Sequence, residues 1–279
     1  MGTRRMKLGQ YNFEVTEEGA GEPVLLLHGF PDSARLWRHQ IPALVAAGFR
    51  VIAPDQRGFG ESDKPQEVEA YALREVIGDA IALLDALGLE RVKLVSHDWG
   101  AAVGWGLAAF HPERIVKHVA LSVGHLSALW NAGLAQRRLA WYMLLFMRQG
   151  LAEDILTRDD WLWFRDLFQH HSEMATWIRD LSRPGALSAG LNWYRANVDV
   201  ETWKPEGWVL PRTPVPTLGV WSSGDAYLTE VQMATSGQYV DGPWQYLRVE
   251  GASHWLTLDR PAHLARVLVD YLSQPVGER

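Results

Sequence analysis

Short apolar runs recur along the chain and are typical of buried strands. Six of them cover Val24 to Leu27, Arg50 to Ala53, Val92 to Val95, Val119 to Val123, Thr217 to Trp221 and Tyr246 to Val249. Nearly continuous apolar runs of this length are the pattern of strands that are buried on both faces of a parallel sheet. Residues 11 to 16 alternate instead, and they predict an antiparallel edge strand in front of the others.

Helical periodicity fills most of the intervals between these strands. Apolar residues repeat at steps of three and four in the segments Ser33 to Ala47, Leu73 to Leu87, Ala101 to Phe110 and Pro261 to Tyr271. Alternating strands and amphipathic helices are typical of crossover units on a parallel sheet. The pattern therefore predicts an α/β fold with a mostly parallel central sheet.

The alternation stops between about residues 125 and 211. This region has no convincing strand, and it is dense in Trp, Leu, Met and charged residues at helical spacing, as in AQRRLAWYMLLFMRQG and DDWLWFRDLFQHH. We therefore expect residues 1–124 and 212–279 to form the core and residues 125–211 to form a helical cap, or lid. Such an insertion would cover the edge where the strands end, which is where open parallel sheets bind ligands.

Composition narrows the class of protein. The 279 residues are 47% hydrophobic and carry a net charge of −6 without a basic run, which argues against nucleic acid or an anionic membrane as the main partner. There is no cysteine, so disulfides and thiolate chemistry are excluded. The first residues lack the apolar run of a signal peptide or membrane span. We expect a cytoplasmic protein with a small neutral substrate.

The segment VSHDWGAAVG, residues 95–104, places a carboxylate at the tip of a turn between a strand and a helix. Its pattern matches the nucleophile elbow, a sharp turn that holds a nucleophile out from the sheet. Asp98 occupies the nucleophile position, and Gly100 leaves room for the helix to pack closely. An alternative is that Asp98 only caps the helix, since aspartate is a favoured N-cap residue. This segment alone supports both readings equally.

Three other segments favour a nucleophile. HGFP, residues 28–31, follows a strand, so the backbone N–H groups of Phe30 and Trp99 are candidates for an oxyanion hole. Asp225 and His254 each follow a later strand, and the order nucleophile, acid, histidine is the one expected on this kind of sheet. Taken singly, Asp225 is more often a turn residue and His254 a loop histidine. The order of Asp98, Asp225 and His254 along the chain is therefore the main argument for a nucleophile at residue 98.

The chain resembles the epoxide hydrolase group of the α/β-hydrolases over nearly its whole length. The motifs that carry the resemblance are HGFP (28–31), PDQRGFGESDKP (54–65), HDWGA (97–101), GLNWYR (190–195) and SHWLTLDRP (253–261). The elbow and the NWYR segment are specific, whereas the other motifs occur in many α/β-hydrolases. The resemblance implies an α/β-hydrolase fold with an inserted cap and a hydrolase that acts on the ether bond of an epoxide.

Aspartate at the elbow changes the chemistry. A carboxylate can displace a leaving group from saturated carbon and become an alkyl ester. His254, oriented by Asp225, would then deprotonate the water that hydrolyses this ester at the Asp98 carbonyl. The expected product is a vicinal diol, and the expected ligands are a small apolar epoxide and water, with no cofactor.

An opening epoxide also needs a proton donor for its alkoxide, and tyrosine suits this task. The resemblance implies two lid tyrosines, and Tyr194 in NWYR matches one of them. Aligning YMLLFMRQGLAE with the family puts Leu145 at the position of the other, while Tyr142 lies three residues earlier on the same helical face and is the candidate substitute. Both tyrosines have packing as an alternative role. The expected substrate contacts are Phe30, Pro31, Trp99 and Tyr194.

The sequence leaves two alternatives to an epoxide hydrolase: a dehalogenase and a protein that binds a ligand without catalysis. Haloalkane dehalogenases share the aspartate elbow and its Trp but commonly carry Asn where Phe30 stands, and fluoroacetate dehalogenases carry Arg where Trp99 stands. A hydrolase-fold protein that only binds a ligand through its lid is the third hypothesis. Exposed lid aromatics suggest a homodimer.

Several polar residues are expected to have structural roles. No histidine and carboxylate pair has metal-ligand spacing, so we expect no metal site. His28 is expected to organise its loop, and Asp55 and Arg57 to hold a turn. His170 and His171 are expected on a polar helix face.

Overall fold

A computed structural model of the protein describes residues 2–199 and 210–275. Its centre is an eight-stranded sheet in the order β1-β2-β4-β3-β5-β6-β7-β8. The strands are β1 (Gly2–Leu8), β2 (Tyr11–Glu18), β3 (Glu22–Leu27), β4 (Phe49–Pro54), β5 (Val92–His97), β6 (Ile115–Leu121), β7 (Thr217–Ser222) and β8 (Trp244–Val249). β1, β2 and β4 pair antiparallel, and all the pairs from β4 to β8 are parallel. The predicted α/β class with a mostly parallel sheet is confirmed.

Helices that precede β6 or follow β7 pack on the sheet. They are α1 (Ile41–Ala46), α2 (Leu73–Ala86), α3 (Trp99–Phe110), α10 (Glu230–Ala234), α11 (Leu256–Asp259) and α12 (Pro261–Ser273), and the helices α4 to α9 lie between β6 and β7. α2 packs with α3, and α1 packs with α12. The six strands from β3 to β8 carry the apolar runs, and Val24, Leu94 and Val119 are fully buried among them. Burial of the runs in β3 to β7 is the main stabilising contribution, whereas β8 is the other edge of the sheet and only its Val249 is buried.

Two sequence predictions need correction. The expected edge strand is β2, which pairs on both sides, and β1 is the true edge. β1 was missed because GTRRMKL is mostly exposed and shows no apolar pattern. The expected helix over residues 33–47 is two elements, a 3-10 helix at Ala34–Trp37 and α1. Pro42 lies in the first turn of α1, where its missing N–H is tolerated, whereas one continuous helix would place it in the interior.

Among the residues that the structure describes, six helical elements lie between β6 and β7, and the fourth of them is interrupted at residues 158–161, where the backbone is not helical. They are α4 (Leu126–Trp130), α5 (Gly133–Leu139), α6 (Tyr142–Phe146), α7 (Leu151–Leu167), α8 (Met174–Leu181) and α9 (Ala186–Asn197). The predicted helical character is thus confirmed for residues 125–199. Residues 200–209 of the expected lid lie outside the described residues, and the domain division at 125–211 stays a prediction.

The inserted helices are tied to each other and to the core. The Arg195 guanidinium on α9 donates two hydrogen bonds of 2.9 Å to the Glu153 carboxylate on α7. The Trp193 indole, also on α9, donates to the Arg57 carbonyl at 3.0 Å. None of the helices in the described residues combines the length and apolar character needed to cross a bilayer.

The start of α3 lies unusually close to β3. A Cβ added at Gly100 would lie 2.3 Å from the Leu27 carbonyl oxygen and 2.4 Å from that of His28. Both are backbone atoms that cannot rotate away. A glycine at residue 100 is therefore what lets the helix follow the turn at Asp98 directly.

We expect Gly100→Ala to destabilise the protein by roughly 1–3 kcal/mol, because the methyl group must push α3 from the sheet. Gly78→Ala is the matched control, since Gly78 is an exposed position in α2 with no atom within 4 Å of the added Cβ. It should stabilise the protein by about 0.5–1 kcal/mol through helix propensity. Urea unfolding of both variants measures the difference, and equal effects would contradict the close-packing argument.

Candidate active site

Asp98 lies at the sharp turn between β5 and α3. Its backbone has φ 54° and ψ −124°, in a region that costs a non-glycine residue roughly 1–3 kcal/mol. In the described first turn of α3, its side chain makes no capping hydrogen bond. The carboxylate instead accepts a hydrogen bond from the Phe30 N–H, with 2.8 Å between the nitrogen and Oδ1. Asp98 is thus the N-cap residue of α3 by position, but its carboxylate does not serve as the cap.

Two backbone amides approach the carboxylate, as the sequence predicted. The Phe30 N–H comes from the loop after β3, and the Trp99 N–H from the start of α3 also interacts with the Asp98 carboxylate. A Cβ at Gly29 would lie 2.1 Å from Asp98 Oδ1, so glycine is needed for this approach. Two backbone donors directed at one carboxylate are the kind of group from which an oxyanion hole is built.

His254 lies between two carboxylates. Its Nδ1 is 2.8 Å from Asp225 Oδ2, and its Nε2 is 3.4 Å from Asp98 Oδ2. Asp225 is itself fixed, because its Oδ1 accepts the N–H groups of Tyr227 at 2.9 Å and Leu228 at 3.0 Å. The three residues that the sequence proposed from three distant segments thus meet in one place.

The two carboxylates reverse the effect of burial on His254. Burial lowers the pKa of the imidazole, but Asp225 and Asp98 together raise this pKa to about 10. Burial acts to raise the pKa of Asp98, yet His254 and the Trp99 amide hold it below the ordinary value of 3.8. At neutral pH the site therefore holds an imidazolium between two carboxylates.

Sequence analysis missed two residues that hold the backbone of His254. The His254 carbonyl accepts hydrogen bonds from His97 Nε2 at 2.9 Å and from Ser122 Oγ at 3.0 Å. Burial lowers the pKa of His97 to about 3, so its ring is neutral. Ser122 follows β6 with a φ of 67°, a conformation that favours glycine. In the sequence, the only sign of these two contacts was His97, a histidine that directly follows an apolar strand run.

A cavity of about 270 Å³ lies over Asp98 and His254. Its described wall is mostly apolar and comes from the core and from α4, α6 and α9. The wall residues are Leu73, Asp98, Trp99, Ala102, Val123, Leu126, Leu129, Trp130, Tyr142, Met143, Tyr194, Ala196, Asn197, Val198, Tyr227, Leu228 and His254. Such a pocket, with a few convergent polar groups, suits a small apolar ligand.

Tyr142 and Tyr194 both lie on this wall, whereas Leu145 is not among the described wall residues. Tyr142, one turn earlier on α6, thus reaches the cavity, and its role as the second proton donor stays a prediction. Burial, with the Asp98 charge acting in the same direction, raises the pKa of each phenol well above its ordinary value. Hydrogen bonds from the Tyr194 side chain to Tyr142 and from Trp99 to Tyr194 act the other way. Both hydroxyls therefore stay protonated.

Two of the four expected substrate contacts are displaced. Trp99 and Tyr194 line the cavity, but Phe30 and Pro31 are not among its described wall residues. The Phe30 ring is instead packed edge-on against Tyr194, with 5.8 Å between centroids. Phe30 thus contributes its backbone N–H to the site and its side chain to the core.

The loop residues around the site have structural contacts. His28 is held by the Gly29 carbonyl at its Nδ1 and by the Gln56 N–H at its Nε2, as expected of a loop organiser. Asp55 accepts the N–H of Ala34 at 2.8 Å, and the Arg57 side chain donates to Asp79, which confirms their scaffolding roles.

The expectation for His171 is wrong. Its ring is buried, stacks on Trp177 with 4.8 Å between centroids, and lies 3.4 Å from Asp259. The adjacent His170 is exposed, but it lies in the turn after α7 and not on a helix face, with a φ of 50°. Within residues 2–199 and 210–275, no group of three or more His, Asp or Glu side chains is arranged to hold a metal ion.

Comparisons with known proteins agree with this geometry. The family model of the alpha/beta hydrolase fold matches residues 22–261. Epoxide hydrolase A of Mycobacterium tuberculosis is 32% identical over 300 aligned residues, which cover 91% of this chain and 92% of that protein.

Solved structures give the same result. An epoxide hydrolase found in metagenomes from hot environments superposes with a TM-score of 0.87 at 31% identity, covering 98% of this chain and 99% of that one. Epoxide hydrolase A from Mycobacterium thermoresistibile gives a TM-score of 0.83 at 29% identity over 99% of each chain. The family match, the sequence identity and the fold agree, and the chain belongs to the α/β-hydrolase superfamily and, within it, to the epoxide hydrolase group.

Proposed function

We propose that the protein hydrolyses an epoxide to a vicinal diol through a covalent ester on Asp98. The observation that carries this proposal is that a carboxylate and two protonated, buried phenols line one small apolar cavity. A nucleophile and an acid are the two groups that epoxide opening requires at once. The names of the relatives support the same substrate class.

In the first step, Asp98 Oδ2 attacks one ring carbon. Oδ1 accepts the Phe30 N–H at 2.8 Å, whereas the nearest side-chain contact of Oδ2 among the described residues is the longer one, 3.4 Å, to His254 Nε2. A new bond forms between Oδ2 and carbon while the bond between that carbon and the epoxide oxygen breaks. Tyr142 or Tyr194 gives its proton to the departing oxygen, which becomes a hydroxyl group.

Ester formation switches the role of His254. The ester has no negative charge, so one of the two carboxylates that raise the pKa of His254 is lost. The imidazolium then releases its proton, which restores the phenol. Neutral His254, held by Asp225, is left as a base beside the ester.

In the second step, His254 takes a proton from water, and the hydroxide adds to the carbonyl carbon of the Asp98 ester. The Phe30 and Trp99 N–H groups stabilise the tetrahedral oxyanion, and each such donor contributes roughly 3–4 kcal/mol in related acyl chemistry. The bond between the carbonyl carbon and Oδ2 then breaks, and the His254 imidazolium protonates Oδ2, which leaves with the substrate as the second hydroxyl group of the diol. The oxygen from water stays in the side chain of residue 98, whose carboxylic acid returns its proton to His254.

A dehalogenase is the second candidate, because Asp98 could equally displace a halide. A halide needs only polarised N–H groups, whereas two phenols that stay protonated suit an alkoxide better. A protein that only binds a ligand is disfavoured by the short contacts among Asp98, His254 and Asp225. Diol formation from an epoxide panel tests the proposal, and turnover of haloalkanes without any epoxide turnover would reverse the ranking.

We further propose that the helices between β6 and β7 act as the lid of this site, within the domain limits 125–211. Tyr142 on α6 and Tyr194 on α9 support this role, because both face the cavity that contains Asp98. A homodimer and a cytoplasmic location stay predictions.

We expect His254→Gln to trap the ester, since glutamine cannot act as a base in the second step. Incubation with styrene oxide should raise the mass of the peptide containing Asp98 by the whole mass of the epoxide. Asp98→Asn is the control and should give no adduct. Release of diol by His254→Gln with Asp98 unmodified would contradict the two-step scheme.

The role of the two phenols as proton donors can be tested by measuring the rate of ester formation in a single turnover. Replacing both Tyr142 and Tyr194 by Phe should slow ester formation by roughly 10²- to 10⁴-fold, because no general acid remains. Each single variant should lose less. Tyr227→Phe is the matched control, since its hydroxyl donates to the Leu167 carbonyl at 2.7 Å and is not available to substrate. It should cost about 1 kcal/mol of stability and leave ester formation unchanged.

The rates of the two steps should differ in their response to acid: ester formation should persist, and hydrolysis of the ester should slow. Asp98 stays ionised below its ordinary pKa of 3.8, so ester formation persists as the pH falls. Hydrolysis needs neutral His254, whose pKa in the ester lies below about 10 because the Asp98 charge is gone. Quenched-flow mass spectrometry should therefore find more wild-type ester at acidic than at alkaline pH. An ester fraction that rises with pH would be incompatible with this switch.

A further inference from the structure

Three consecutive peptide groups around His254 are held by side chains from other parts of the chain. The Ser253 N–H donates to Asp259 Oδ2 at 2.7 Å, and the Ser253 carbonyl accepts the Ser222 hydroxyl at 2.5 Å. The His254 carbonyl accepts hydrogen bonds from a histidine and a serine at the ends of β5 and β6. These side chains therefore set the direction of the His254 ring, because the backbone determines where its Cβ points.

Asp259 also contacts the segment between β6 and β7. Its Oδ1 lies 3.4 Å from Nε2 of His171, a residue between α7 and α8. The other ring nitrogen of His171, Nδ1, accepts the Glu173 N–H at 3.2 Å. The proton of a neutral His171 ring is therefore on Nε2, the nitrogen that approaches the Asp259 carboxylate.

The Asp259 carboxylate has a different partner at each oxygen. With Ser253 at Oδ2 and His171 at Oδ1, the carboxylate cannot rotate freely, so Oδ2 stays directed at the Ser253 N–H. Burial acts to raise the pKa of Asp259, but His171 and Ser253 hold it below the ordinary value of 3.8. An ionised carboxylate accepts a stronger hydrogen bond from an amide than a neutral acid does. His171 thus supports the hydrogen bond between Asp259 and Ser253.

The residue after His254 is packed by rings from the same segment between β6 and β7. The Trp255 ring lies 4.6 Å from the Trp177 ring and 5.1 Å from the His171 ring, measured between centroids. The Trp255 ring also lies edge-on to the His254 imidazole, at 5.1 Å and 82°. This segment therefore contacts the chain on both sides of His254, directly at the following residue and through a carboxylate at the preceding one.

We propose that Asp259 and His171 are positioning residues for the second step, the hydrolysis of the Asp98 ester. They hold the residue before His254, so that the imidazole can take a proton from a water beside the ester. This inference rests on the proposed function, since the ester exists only if Asp98 is the nucleophile. Ester formation needs a nucleophile and an acid rather than a base, so it should not depend on Asp259 or His171.

The test measures the rate constants of ester formation and of ester hydrolysis with styrene oxide, by quenched flow and mass spectrometry. Asp259→Ala removes the acceptor of the Ser253 N–H and should slow hydrolysis by about 100-fold, the loss expected when a catalytic group is displaced by about 1 Å. Ester formation should be nearly unchanged, so the ester should make up a larger fraction of the enzyme during turnover. A loss of folded protein lowers the amplitude of both steps and leaves the ratio of their rate constants unchanged.

Two substitutions at His171 separate its hydrogen bond from its packing. His171→Phe keeps a ring against Trp177 but removes the N–H, and it should slow ester hydrolysis by about tenfold, the effect of losing one hydrogen bond to an ionised carboxylate. His171→Gln keeps a donor near the position of Nε2 and should retain most of the wild-type rate. The double variant of Asp259→Ala and His171→Phe should be no slower than Asp259→Ala alone, because His171 acts through Asp259.

Asp85→Ala is the matched control, since its carboxylate also accepts a side-chain hydrogen bond, from Arg114 at 2.7 Å, but lies on α2. It should leave the ratio of the two rate constants unchanged. A wild-type ratio in Asp259→Ala, including equal slowing of both steps, would overturn the inference and leave the proposed function intact. A wild-type ratio in His171→Phe would overturn the role of His171, and this variant decides the matter if Asp259→Ala does not fold. Absence of any ester in His254→Gln would overturn the proposed function itself.

Discussion

A carboxylate removed from water must be given donors and positive charge, and the position of Asp98 depends on both. The Phe30 N–H at 2.8 Å and the imidazole of His254 at 3.4 Å take the place of solvent around it. Each requirement fixes a different part of the chain. The amide contact needs Gly29 in the loop after β3, and the imidazole contact needs Asp225 after β7 and the loop after β8. The ionised carboxylate of Asp98 therefore fixes the ends of β3, β7 and β8 relative to one another.

This arrangement also explains why a strained backbone is tolerated at the turn. A buried charge that has lost one partner costs several kcal/mol, which is more than the conformational cost of a residue with positive φ. The same logic applies to Ser122, whose φ of 67° directs its hydroxyl to the His254 carbonyl. Strain at two neighbouring strand ends is offset by the hydrogen bonds that it permits.

Much of the site followed from sequence because its determinants are local. A strand, a tight turn and a helix place Asp98, and the ends of parallel strands place Asp225 and His254 along the same edge. Features that depend on packing between distant segments could not be predicted. The Phe30 side chain looked like a substrate contact, yet its ring packs into an aromatic block that only the folded lid assembles. Tyr142 was one turn from the expected position, and β1 has an exposed sequence without apolar signal.

The helices between β6 and β7, which we propose as the lid, supply groups that the core lacks. The ion pair of Glu153 and Arg195 joins α7 to α9, and α9 in turn contacts the core through Trp193. These contacts fix the phenol on α9 relative to Asp98. In the proposed reaction, loss of this packing would separate a proton donor from the nucleophile without altering either residue.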